Sequence, residues 1–329
     1  MPPIERGALL EVPPERVALV LGAGGTVGHA YHAGTLAALA EAGWDARHAG
    51  LIVGTSIGAL TGALLRAGLP PADLYARVVG EPMSDAGRAI LDGLQGWWAF
   101  SCDMPRERTP LGRPASPGLL ARLVRRPWHT RAGLLLAALT PSGSVSTAGL
   151  AAEIDDLLGG AWPTAPLLVC AVDLDTGERV VLGQPSSPDV SVGEAVAASS
   201  AVPAVFEAVV VDGRRLVDGG LHSPANADVS VDAADELDAV VVSLPMGIDG
   251  SPGRLGVDLP GRFLNHWTTD RELAPVRAAG LRVAVFEPGR RELELMHYDA
   301  FDLTHRADVA RRAYDAALAP GGAVVRSGS

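Results

Sequence analysis

The chain has 329 residues, 48% hydrophobic and 20% charged, a profile that excludes a disordered polymer and leaves room for one large α/β domain or two small ones. Its net charge of −11 argues against nucleic acid as a partner, because that binding needs a basic surface to displace counterions. The same charge opposes global adsorption to anionic lipid and leaves local apolar contact with a membrane open.

Residues 1–15 are rich in Pro and Glu and are expected to be peripheral. They lack the charged-then-apolar order of a signal peptide. No run of about 18 apolar residues follows, so no membrane span is expected and the cytoplasm is the default location. All 27 basic residues are arginine, which speaks to coding bias rather than to function. Arg16–Leu21 reads as a buried strand, followed by a glycine loop over 22–28 and a helix from about His29 to Ala42, closed by Gly43. Leu51-Ile52-Val53 is a second strand, and Ile57–Ala67 a helix stopped by Gly68-Leu69-Pro70.

Residues 80–146 hold seven prolines, with Trp97, Trp98, Phe100 and Trp128 among them. Short helices and loops are expected here, as a cap over a site or as an insertion with ordinary packing. Regular order resumes with a helix over Ala148–Leu158. Strands follow over Leu167–Val172 and Glu178–Leu182, joined at Asp175-Thr176-Gly177. A helix over Val192–Ala198, a short strand over Arg215–Val217 and a buried strand over Ala239–Leu244 come next. Then come a helix over Arg262–Ala279, a strand over Leu281–Phe286 and a last helix over Thr304–Leu318. Two cysteines, Cys102 and Cys170, make neither a disulfide framework nor a metal motif, and Cys170 in its apolar run reads as an inert core residue. The alternation predicts one domain over 16–320, with 80–146 the candidate cap and 321–329 a tail.

Three features carry chemistry. Gly54-Thr55-Ser56-Ile57-Gly58, between an apolar strand and a helix, has the form of a nucleophile elbow. Flanking glycines let strand and helix approach closely, and the hydroxyl projects at a helix N-terminus. The glycine loop before it presents backbone N–H groups to an anion, either a dinucleotide phosphate or the oxyanion of an acyl-transfer intermediate. Gly22 and Gly24 fit the dinucleotide fingerprint, but Val27 stands where its third glycine belongs and Gly28 comes one residue late. The next strand ends in the serine turn rather than in an acidic residue, which favours the oxyanion reading. Asp218-Gly219-Gly220 closes a short strand and offers a carboxylate base, or is an ordinary Asp-Gly turn. His222, His266, His297 and His305 follow Asp218 and could complete a triad by position only.

Together these segments resemble the patatin-like phospholipase family. The likeness rests on the run from Ala23 through Gly28 to Gly34, the elbow at Ser56, the segment Ala198–Phe206, and Asp218-Gly219-Gly220, in that order. It implies a three-layer α/β/α fold with a mostly parallel central sheet. It also implies a Ser-Asp dyad without a catalytic histidine. Ser56 would attack a lipid ester of the phospholipase A, lysophospholipase or acyl-ester type, and Asp218 would act as base. The N–H groups of Gly24, Gly25 and Thr26 would hold the oxyanion. No cofactor and no metal are implied; the expected partners are a lipid or acyl-ester substrate and, transiently, a membrane surface. Many members carry Arg or Lys where Val27 stands, so the expectation of an anionic head group is weakened while the backbone donors remain. Rival readings are an acyltransferase using the same dyad, a non-catalytic lipid- or nucleotide-binding module, and a triad esterase using His222. Trp97, Trp98 and Phe100 are candidates for an acyl channel or bilayer contact.

Overall fold

The computed structural model describes residues 11–94, 115–125, 132–250, 256–296 and 300–319. Trp97, Trp98, Phe100, Cys102 and His297 lie outside them, as do most of the N-terminal segment and the tail beyond 320.

Eight strands form one mixed sheet: β1 (Val17–Leu21), β2 (Leu51–Thr55), β3 (Leu167–Asp173), β4 (Arg179–Leu182), β5 (Val209–Val211), β6 (Arg214–Asp218), β7 (Ala239–Ser243) and β8 (Arg282–Phe286). Their order is β5-β6-β3-β2-β1-β7-β8, with β4 also paired to β3. The run β3-β2-β1-β7-β8 is parallel, and β4, β5 and β6 pair antiparallel. Every residue of β1, β2, β3 and β7 is buried, as expected of strands covered on both faces.

The helices are α1 (Gly25–Glu41), α2 (Ile57–Arg66), α3 (Pro71–Val79), α4 (Asp85–Leu91), α5 (Pro117–Arg125), α6 (Ala132–Leu139), α7 (Ala148–Leu158), α8 (Val192–Ser199), α9 (Leu259–Ala278), α10 (Arg290–Leu293) and α11 (Arg306–Leu318). Alternate strand residues feed two separate cores. Leu19, Ile52, Val169 and Val241 pack with Leu36 and Leu39 of α1, Leu60 and Leu64 of α2, and Val309 of α11. Val20, Val53, Cys170 and Val242 point the other way, onto Val229 and onto Leu273 and Val276 of α9. The result is the three-layer α/β/α architecture.

The first helix begins at Gly25, not at His29, so half of the expected glycine loop is the opening turn of α1. Its start is set from far along the chain: the Ala300 carbonyl accepts from the Val27 N–H at 3.1 Å and from the Thr26 hydroxyl at 3.2 Å. α1 is buried on nearly all sides, between the sheet and α11. Within 80–146, α6 packs against the turn after Asp218: Leu134 and Ala137 join Val172, Val217 and Leu221. No helix of the described residues is long and apolar enough to cross a membrane.

Candidate active site

The meeting of Ser56 and Asp218 follows from strand register. β2 runs parallel to β3 and ends with Thr55 opposite Cys170. β6 runs antiparallel to β3 and ends with Asp218 opposite Ala171. Cys170 and Ala171 both also pair with β4, and a strand residue has only two edges. So β2 and β6 share one edge of β3 and approach each other end to end. Residues leaving the two strand ends, Ser56 and Gly219, therefore emerge side by side.

Ser56 takes φ 56° and ψ −122°, a conformation that costs any residue with a Cβ, and α2 starts immediately after it. The turn is tight because α2 crosses the end of β1. A Cβ at Gly58 would sit on the Leu21 carbonyl oxygen, so only glycine fits there. Gly58→Ala is expected to push α2 off the sheet and cost about 1–3 kcal/mol, read as a lower unfolding midpoint. Gly25 has φ 59°, and a Cβ there would meet the Ala300 carbonyl.

Ser56 and Asp218 are both nearly closed to solvent, at 7% and 6% exposure. Burial pushes the Asp218 carboxyl up to about 6; the Ser56 hydroxyl that faces it and the Gly220 N–H draw it partly back. That N–H donates to Asp218 Oδ1 at 2.7 Å. No histidine is among the partners of either residue in the described chain. A hydroxyl facing such a carboxylate can give up its proton as it attacks an electrophile.

The glycine loop closes the third side. Gly22 N–H donates to Ser243 O at 3.0 Å and Ala23 N–H to Pro224 O at 2.8 Å. His32 anchors the loop from within α1: its ring nitrogens lie 2.9 Å from the Gly22 carbonyl and 2.8 Å from Ser243 Oγ. A carbonyl only accepts, so Nε2 carries the proton and Nδ1 accepts from Ser243. Burial lowers the His32 pKa to about 4, which keeps the ring neutral. Among the described residues no acceptor takes the N–H of Gly24, Gly25 or Thr26. These donors stand at the N-terminus of a 17-residue helix, where they can hold a negative charge.

The sequence reading missed Ser199. Its hydroxyl accepts from the Ser56 N–H at 2.8 Å and donates to the Cys170 carbonyl at 2.6 Å. Two residues on, the Ala201 carbonyl accepts from the Asp218 N–H at 3.1 Å. The end of α8 thus holds the backbone of both residues. The signal was a pair of hydroxyls, Ser199 and Ser200, in an otherwise apolar run, since a buried hydroxyl needs a partner. Ser199→Ala leaves the Ser56 N–H buried without an acceptor. It should cost about 1–3 kcal/mol in denaturant unfolding and lower kcat more than it raises KM. Asn226 supports the same corner, donating from Nδ2 to Thr55 Oγ1 at 3.1 Å and to Ser223 O at 2.7 Å. Cys170 is buried and its thiol is pushed up to about 12, as befits an inert core residue. His222 lies near Asp228, whose carboxyl it helps to hold down.

A cavity of about 250 Å³ opens beside the loop, lined by Gly24, Val27, Pro245, Met246, Val257 and Met296 among others; Ser56 and Asp218 do not line it. Among the described residues no cluster of His, Cys, Asp and Glu could hold a metal ion.

Among solved structures the chain is similar to VipD from Legionella pneumophila, at 14% identity over 93% of this chain and 66% of that one, with a TM-score of 0.45. It is similar to the type III effector ExoU at 16% identity over 93% and 53% of the two chains, with a TM-score of 0.35. A third likeness is to the complex of full-length SpcU with full-length ExoU from Pseudomonas aeruginosa, at 16% identity over 81% and 53%, with a TM-score of 0.29. The chain therefore spans between half and two thirds of the length of these proteins. No curated protein matches the sequence. The family model for the patatin-like phospholipase matches residues 19–231, from β1 past β6. That span is well over half of the chain and contains the glycine loop, the serine turn, the end of α8 and the Asp218 turn, and the chain belongs to the patatin-like phospholipase family.

Proposed function

We propose that the chain is a serine hydrolase of lipid carboxylic esters that works through an acyl-Ser56 intermediate, with Asp218 as its base. One observation carries this reading: the abutting ends of β2 and β6 set a strained serine against a buried carboxylate whose partners include no histidine. Ser56 Oγ attacks the ester carbonyl and its proton passes to Asp218. The N–H groups of Gly24, Gly25 and Thr26 hold the tetrahedral oxyanion. As the C–O bond breaks, Asp218 returns the proton to the departing alkoxide. Water then repeats the cycle on the acyl-serine and releases the fatty acid.

Asp218 at about 6 is a stronger base than an ordinary carboxylate near 3.8, yet far weaker than a serine alkoxide. The donors at the α1 N-terminus therefore supply much of the stabilisation, and losing one such donor typically costs about 10²–10³ in rate. Both dyad residues are nearly closed to solvent, which strengthens these interactions.

The test is product analysis on phosphatidylcholine vesicles. Wild type should release fatty acid and lysophospholipid, and Ser56→Ala should release neither. His222→Ala should keep wild-type turnover, whereas its loss in a folded variant would favour the triad. An acyltransferase would instead move the acyl group onto an added alcohol in preference to water. Equal turnover by wild type and Ser56→Ala would overturn the proposal.

A further inference from the structure

The first half of α9 turns large apolar side chains to solvent, the reverse of what a helix on a soluble surface does. The buried side of the helix includes Arg262, Thr269 and Glu272 beside Leu273 and Val276, while Phe263, Leu264 and Trp267 are exposed at 48%, 44% and 56%. These three fall at helical spacing on one face, with exposed Pro260 a turn before and exposed Arg271 a turn after. Val257, just ahead of the helix, is 84% exposed, and Met246 lies in the loop that follows β7. Of the large apolar side chains exposed among the described residues, most belong to this one region. The Arg262 guanidinium that takes the buried position is satisfied by Asp258 and by the carbonyls of Pro245 and Gly247. The inverted face therefore needs no rearrangement to exist. Among the described residues nothing apolar covers it.

We propose that this face docks onto a lipid bilayer, with Val257, Phe263, Leu264 and Trp267 entering the interfacial region. The choice of a bilayer rests on the lipid-ester reading above and on continuity with the glycine loop that faces Ser56. Met246 and Val257 line the cavity whose other lining residues include Gly24 and Val27, and Pro245 packs on Gly24 and Gly28. Docking here sets the mouth of that cavity against the surface that holds the substrate. The edge chemistry suits a membrane: the Arg271 guanidinium lies over the Trp267 ring at 4.7 Å, placing an aromatic and a phosphate-seeking cation together at head-group depth. With a net charge of −11, attachment comes from apolar insertion rather than from the protein's overall field, so it should survive high salt.

Sedimentation with phosphatidylcholine vesicles tests this, comparing wild type with the triple variant Phe263→Ser, Leu264→Ser, Trp267→Ser. All three positions are exposed and none lines the cavity, so folding and hydrolysis of a short water-soluble ester should be unchanged. Vesicle partitioning and hydrolysis of vesicle lipid should both fall at least about tenfold. Brominated lipid should quench wild-type fluorescence more than that of Trp267→Phe. Equal partitioning of wild type and triple variant would overturn the inference. So would a wild-type dimer, seen by light scattering, that the triple variant dissolves into monomers without either form binding vesicles. Wild type that binds vesicles through this face but cleaves no ester would remove the proposed function and leave the docking surface standing.

Discussion

Ser56→Gly is expected to give a protein more stable than Ser56→Ala and devoid of esterase activity. The φ of 56° and ψ of −122° at this position are comfortable only without a Cβ. Strain of this kind costs about 1–3 kcal/mol, which glycine releases and alanine keeps. Both variants lose the hydroxyl that faces Asp218, so their difference isolates the backbone contribution. Chemical denaturation of the two variants reads it directly; an alanine variant as stable as the glycine variant would mean that the turn stores no strain. In both, ester turnover should fall by several orders of magnitude, because the proposed nucleophile is gone.

Asp218 is expected to set the acid limb of the pH–rate profile near 6 rather than near 4. In the proposed mechanism the carboxylate is the base, so turnover should be full above that pH and fall about tenfold per unit below it. Asp218→Asn should lower turnover about 10²–10⁴-fold. The same shift has a stability consequence with a definite sign. The folded-state pKa of about 6 lies above the ordinary 3.8, so the fold favours the protonated carboxyl. The ionised form is a burden on the native state that is absent below the unfolded pKa and fully present above the folded one. Asp218→Asn should therefore stabilise the protein at pH 8, by an amount on the order of 3 kcal/mol, with the gain shrinking as pH falls from about 6 to 4. Urea unfolding at the two pH values checks this, and a gain that does not depend on pH would contradict the assignment. Removing the Ser56 hydroxyl takes away one of the two interactions that hold the carboxyl down, so in Ser56→Ala the group should titrate higher still.

The local pieces of this arrangement were legible in the sequence because they are local. Apolar runs such as Val17–Leu21 and Ala239–Ser243 announce strands buried on both faces, and Asp175-Thr176-Gly177 announces the hairpin between β3 and β4. The Gly-x-Ser-x-Gly pattern around Ser56 and the Asp-Gly-Gly turn at 218 were visible as separate candidates. Their pairing was implied by the family resemblance alone, and the geometry that brings them together was not legible. The end-to-end meeting of β2 and β6 depends on the register of both against β3, which no window of sequence contains. The start of α1 at Gly25 is fixed by the Ala300 carbonyl, and low helix propensity for glycine pointed the local reading to a later start. Ser199 stood just past the expected helix over Val192–Ala198, in a segment that carried the family likeness without a role for any one residue, and its place between Ser56 and Cys170 is a tertiary fact. β5, only three residues long, carried too little pattern to be seen. The α9 face escaped because its exposed apolar residues and buried polar ones reverse the rule by which a helix is normally oriented.

Labelling with a fluorophosphonate, followed by peptide mapping, tests the central claim most directly, since the reagent reacts with an activated serine far faster than with an ordinary hydroxyl. The account predicts one adduct, on the peptide carrying Ser56, absent in Ser56→Ala, slowed in Asp218→Asn and unchanged in His222→Ala. Folded wild-type protein that stays unlabelled, or an adduct that maps to another serine, would contradict it.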